Sequence, residues 1–95
     1  MELVVVERLL DKPYTFAELN CMEQSSASCF NLHQVRALRS YFSKDRTRVI
    51  CLYEAPDAEA VRVANRKAGL PFDNVWSADV LYPEAGGPER QPPER

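Results

Sequence analysis

The chain opens with Leu3-Val4-Val5-Val6 set between Glu2 and Glu7-Arg8. A β-branched run bounded by charge predicts a strand over residues 2–8. Asp11-Lys12-Pro13 then interrupts it. Thr15 followed by Glu18 spells Thr-x-x-Glu, a capping box in which each side chain satisfies a free backbone N–H of the other, and a helix is predicted from Phe16 to about Leu32. Phe16, Leu19, Met22, Ser26, Phe30 and His33 recur every three or four residues and fall on one face. The small Ser25-Ser26-Ala27-Ser28 stretch weakens that helix. Val35 to Phe42 alternates and reads as a second strand, Ser43 to Arg48 as a polar hairpin connection, and Val49 to Glu54 as a third strand. The third is the most apolar, which suits a central position. Asp57 caps a second helix with Glu59 near its positive end, Val61, Ala64 and Ala68 form its buried stripe, and Gly69 ends it. A last strand spans Val75 to Tyr82.

Strand, helix, strand, strand, helix, strand is the order of an α+β, ferredoxin-like domain, an antiparallel sheet with both helices on one face. The domain is expected over residues 1–82. Residues 83–95 hold four of the seven prolines and two of the three glycines, so this segment is expected to be disordered. Alternation divides the strands into two faces. The apolar sets Val4 and Val6, Ile50 and Leu52, and Trp76, Ala78 and Val80 are expected under the helices. The bare face is an interface for a partner, and a homodimer with a cavity between two sheets is the expectation.

Composition narrows the function classes. Ninety-five residues allow one domain. The net charge of −2 and the scattered basic residues exclude a phosphate-binding patch, so no nucleic acid is expected. No apolar run nears the ~20 residues that span a bilayer, so no membrane partner is expected. The acidic start and short apolar run do not resemble a secretory leader, which points to the cytoplasm. Cys21, Cys29 and Cys51 form no Cys-x-x-Cys pair and read as reduced thiols. Cys51 sits in an apolar strand and reads as core.

Two constellations could carry chemistry. Cys29 and His33 lie four apart on one helix, and thiolate with imidazole suits nickel, zinc or copper. Two ligands do not complete a site, so Glu23 or a partner's carboxylate would be needed. Equally, Cys29 can be core and His33 a helix C-cap, and a Cys–His nucleophile would lack its orienting group. The second is a ligand-binding set on the bare face: Glu7, Arg39, Tyr41, Tyr53 and Asp79, with Ser77 beside them. It could hold a small anionic or aromatic molecule, or serve as an interface network pairing Arg39 with Glu7 or Asp79. No phosphate loop and no His-Glu-x-x-His is present, and no catalytic residue is assigned.

Cys51-Leu52-Tyr53-Glu54-Ala55-Pro56-Asp57, running into the second helix, and the Ala68-Gly69-Leu70-Pro71 exit resemble a small family of nickel-binding-protein-like ferredoxin-fold dimers. Arg39-Ser40-Tyr41 and Val6-Glu7-Arg8 are similar too. Many relatives carry a His where this chain has Arg62-Val63-Ala64-Asn65. The resemblance implies a dimeric divalent-metal-binding protein with nickel or another transition metal. The alternative is a small-molecule-binding enzyme, isomerase- or oxygenase-like, with its site in the dimer cavity. A subunit without chemistry of its own is the third reading.

Overall fold

A computed structural model describes residues 1–83. The expected disordered tail, Pro83 apart, lies outside the described residues. Strand β1 spans Glu2–Leu9, helix α1 Phe16–Ser25, α2 Ala27–Leu32, β2 Arg36–Phe42, β3 Arg48–Ala55, α3 Ala58–Ala68 and β4 Asn74–Ala78. The four strands form one sheet in the order β2-β3-β1-β4, every neighbour antiparallel. This is the ferredoxin-like arrangement, with β1 and β3 at the centre and the helices packed on one face.

The local signals act as the sequence dictates. Thr15 and Glu18 close the capping box, with Oγ1 of Thr15 accepting from the Glu18 N–H at 3.1 Å and the Glu18 carboxylate from the Thr15 N–H at 2.8 Å. These bonds hold the Glu18 carboxyl below the usual glutamate range. The single helix expected over 16–32 is in fact two. At the buried Ser26 the side chain donates back to the carbonyls of Met22 and Glu23, both at 3.0 Å, a competing bond that breaks the helix. Asp57 caps α3 by accepting from the Ala60 N–H at 2.8 Å. Gly69, at φ +75°, turns the chain out of α3, while the N–H groups of Gly69 and Leu70 return to Arg66 and Asn65. The β2–β3 connection is wound around Asp45, whose carboxylate accepts from Ser43 Oγ, from Thr47 Oγ1 and from the Thr47 N–H, which lowers its pKa in that order.

The core places Val4, Val6, Val49, Cys51, Tyr53, Ala55 and Val75 of the sheet against Leu19, Phe30, Val61 and Ala64 of the helices. This corrects the expected faces of β3 and β4. The register sets Val4 opposite Tyr53 and Val6 opposite Cys51, so the Val49-Cys51-Tyr53 set is the covered one. Ile50, Leu52, Trp76 and Ala78, expected under the helices, lie on the open face. On β2 a bulge between Ala37 and Arg39 shifts the alternation, so Ala37, Ser40 and Phe42 share the covered side. The last strand is also shorter than expected and ends at Ala78.

Candidate functional site

The open face is built in rows across the sheet. Tyr41, Ile50, Glu7 and Asn74 make one row, and Arg39, Leu52, Val5 and Trp76 the next. Arg36, Glu54, Leu3 and Ala78 follow. The apolar members form a platform that no helix among the described residues covers: Ile50 is 40% exposed, Trp76 46% and Tyr41 57%. Trp76 is tied to β1 by its indole N–H, which donates to the Glu7 carboxylate at 2.8 Å. Arg36 pairs with Glu54 at 2.6 Å along one margin. A hollow of about 260 Å³ bounded by Glu7, Ile50, Arg48 and Asp73 lies at one end.

The structure brings together three of the five residues assigned to this face, Glu7, Arg39 and Tyr41. The expected ion pair of Arg39 with Glu7 is not made, since two interstrand spacings of about 4.8 Å separate their strands and Glu7 is engaged by Trp76. Among the described residues, Arg39 has no carboxylate partner. Asp79 lies just beyond the end of β4, exposed and apart from the rows. Tyr53 is not on this face at all. It is 1% exposed beneath the helices, edge-on to the Phe30 ring with centroids 5.3 Å apart, and its hydroxyl accepts from Arg8 Nη2 at 3.1 Å. Burial, then the nearby Cys51, push the Tyr53 hydroxyl pKa up, while Arg8 opposes them. Ser77 likewise leaves the set, donating to Glu2 at 2.6 Å.

The metal pair is separated from any completing ligand. Cys29 is half-buried in α2, and His33 is the C-cap of that helix, its Nε2 enclosed without a hydrogen-bond partner. Among the described residues no three His, Cys, Asp or Glu side chains gather closely enough to hold a metal ion, Glu23 included. A structural metal centre takes about four ligands, so the described residues of one chain do not fit one.

Sequence reasoning missed two functional-looking residues. Arg8 is 4% exposed; among the described residues it has no carboxylate partner and bonds to Tyr53 and to the Pro71 carbonyl, the latter at 2.8 Å. Its alternation with Val4 and Val6 was the available signal. Trp76 was assigned to the core because it is apolar, although a Trp on an edge strand can meet both a partner and a carboxylate.

Residues 5–77 match the family model described as nickel responsive protein SCO4226-like. The crystal structure of SCO4226 from Streptomyces coelicolor A3(2) is similar at TM-score 0.75, covering 84% of this chain and 99% of that one. The identity is 19%, so this likeness speaks for the fold. Among curated proteins none matches.

Proposed function

The chain belongs to the family of nickel-responsive, SCO4226-like proteins, and from that premise we propose that it is a small binding protein that works as a homodimer. Two copies bring their open sheet faces together and hold a small ligand among Glu7, Arg39 and Tyr41, with Asp79 at the margin. The observation that carries this reading is the apolar platform of Ile50, Leu52 and Trp76 around the buried Val5, which no described helix covers. Apolar surface left in water forgoes about 25 cal/mol per Å² of burial, and contiguous patches of it mark contact sites. A second copy suits the rim, which carries both signs of charge in Arg36, Arg39, Glu7 and Glu54, so a two-fold axis can set Arg against Glu. No helix among the described residues is long and apolar enough to cross a membrane. The three free cysteines support a reducing compartment, the cytoplasm.

Divalent-metal binding, nickel first, is the second reading. It is favoured by the family and by the unpartnered Nε2 of His33 four residues from Cys29. Any such ion needs ligands from outside one chain's described residues, and no step is assigned to it. Sedimentation velocity of the wild type and of Ile50→Glu tests the dimer: a dimer that becomes a folded monomer in the variant is expected, and a wild type that stays monomeric at every concentration overturns it. Calorimetric titration with Ni²⁺ tests the second reading, which fails if no heat of binding is seen or if His33→Ala binds as the wild type does.

A further inference from the structure

The helix side holds a second concavity, which reaches the margin of the open face at Arg36 and Arg39 of β2. Helix α1 is pinned at its start by Arg46, whose guanidinium stacks 4.4 Å from the Phe16 ring and 5.3 Å from the Phe42 ring. At its other end it is tied by the back-bonded Ser26. Between these anchors α1 stands off the edge strand β2 and leaves a crevice. One chamber of about 510 Å³ runs between Phe16, Leu19 and the Ala37–Phe42 stretch. The next, about 300 Å³, is floored by Phe30, Val35 and Tyr53. Asn20, Glu23 and Ala37 line both, so the chambers adjoin. Their sizes fall within the range of about 300–1,000 Å³ typical of small-molecule sites.

Polar as well as apolar side chains line the trough, and two of them, Tyr53 and Glu23, border its second chamber. The Tyr53 hydroxyl, nearly wholly buried, receives a hydrogen bond from Arg8, and its own proton has no acceptor among the described residues. The Arg8 cation, itself buried and without a carboxylate partner among the described residues, donates to this oxygen and polarises the O–H. A buried donor left unmade costs about 1–3 kcal/mol, so an acceptor oxygen gains at this point. On the opposite wall the half-buried Glu23 carboxylate makes no ion pair among the described residues and can accept an N–H. Its charge, next to Tyr53, disfavours an anionic head there, while Arg36 and Arg39 lie along the β2 margin of the crevice. Donor and acceptor together select a neutral group that carries a C=O beside an N–H.

We infer that the crevice between α1 and β2 is a binding site for a small neutral amide with an apolar body, its carbonyl accepting from Tyr53 and its N–H donating to Glu23. The apolar body lies on Leu19, Phe30 and Val35. The site meets the dimer face at Arg36 and Arg39 on the β2 edge, while its contacts at Tyr53 and Glu23 do not need the dimer.

The test titrates N-acetyl-L-phenylalanine amide into the full ¹⁵N-labelled chain and follows amide shifts. Saturable shifts at Leu19, Asn20, Glu23 and Ala37 are expected, with 3-phenylpropionate, the same ring on an anionic head, binding more weakly. Tyr53→Phe should weaken the amide about tenfold, the worth of one hydrogen bond. Ala37→Trp, a change at an exposed position on the edge strand, fills the crevice from outside and should abolish binding even if Tyr53→Phe folds poorly. No saturable shifts, shifts confined to the Trp76 and Ile50 face, or Ala37→Trp binding as the wild type does would each overturn the proposal.

Discussion

Replacing Tyr53 by Phe removes one oxygen from the most completely buried part of the core and keeps the ring against Phe30. The lost oxygen is an acceptor for Arg8 Nη2 at 3.1 Å, so the substitution leaves a buried guanidinium N–H unpaired while its partner bond to Pro71 persists. Stranding such a donor costs about 1–3 kcal/mol, and a midpoint near 2 kcal/mol lowers the melting temperature of a domain this size by about 8–16 °C. Chemical unfolding followed by circular dichroism reads the loss. Arg8→Met in the Tyr53→Phe background removes the stranded cation, and the double variant should recover to within about 1 kcal/mol of the wild type. Alkaline pH supplies a second signature. Because burial raises the Tyr53 pKa above its ordinary value near 10, the folded chain keeps a proton that the unfolded chain gives up. That contribution is fully present below about pH 10 and is lost as pH rises through the raised value, at most about 1.4 kcal/mol per pH unit. Tyr53→Phe lacks this dependence, so its stability gap from the wild type narrows in base. A single variant within about 0.5 kcal/mol of the wild type, or parallel alkaline slopes for the two, refutes the account.

Asp57→Ala removes the α3 cap and should cost about 1 kcal/mol in urea unfolding. Gly69→Ala meets no neighbour within 4 Å, so its expected loss of about 1–2 kcal/mol reports backbone strain at positive φ alone. Arg46→Ala unstacks two rings and should cost about 1 kcal/mol, with hydrogen exchange rising first in α1. Asp45→Asn should loosen the hairpin at neutral pH, and in the wild type the same contribution is kept above the ordinary aspartate pKa and lost as pH falls through the lowered folded value. Backbone amide shifts of residues 43–48 across an acid titration check that sign.

The order of elements was legible because each rests on a local device: the Thr15–Glu18 box, the Asp57 cap, Gly69 at positive φ and the polar Ser43–Arg48 connection. Faces were not. Strand β3 is apolar on both sides, so Val49-Cys51-Tyr53 and Ile50-Leu52 are equally good candidates for the core. Only the pairing of Val6 with Cys51 decides between them, and that pairing joins residues 45 apart in the chain. On β2 one bulged residue moves Ala37 and Ser40 onto the same side, which strict alternation forbids. Of the candidate site, Glu7, Arg39 and Tyr41 lie on the open face, as their charges or hydroxyl lead the sequence to suggest. Tyr53 was misplaced for the same reason, since its hydroxyl disguised a core position whose partner, Arg8, is itself a charge that sequence patterns place in water.

The two faces of the sheet therefore answer different demands. The covered face carries a tyrosine and an arginine that a hydrophobic core does not require. Replacing such a buried polar pair with apolar residues is often neutral or stabilising, so fold stability is a weak reason to keep it. The open face carries the reverse, with Ile50, Leu52 and Trp76 in water and polar groups only at the margins. A single self-sufficient domain gains nothing from either choice. A domain whose open face meets a second copy and whose buried Tyr53 meets a ligand gains from both, and the two can be separated experimentally. Ile50→Glu should dissolve the dimer and leave the crevice intact, while Ala37→Trp should close the crevice and leave the dimer intact. If either variant disturbs both, the sheet couples the two faces and the crevice contacts at Tyr53 and Glu23 do need the dimer.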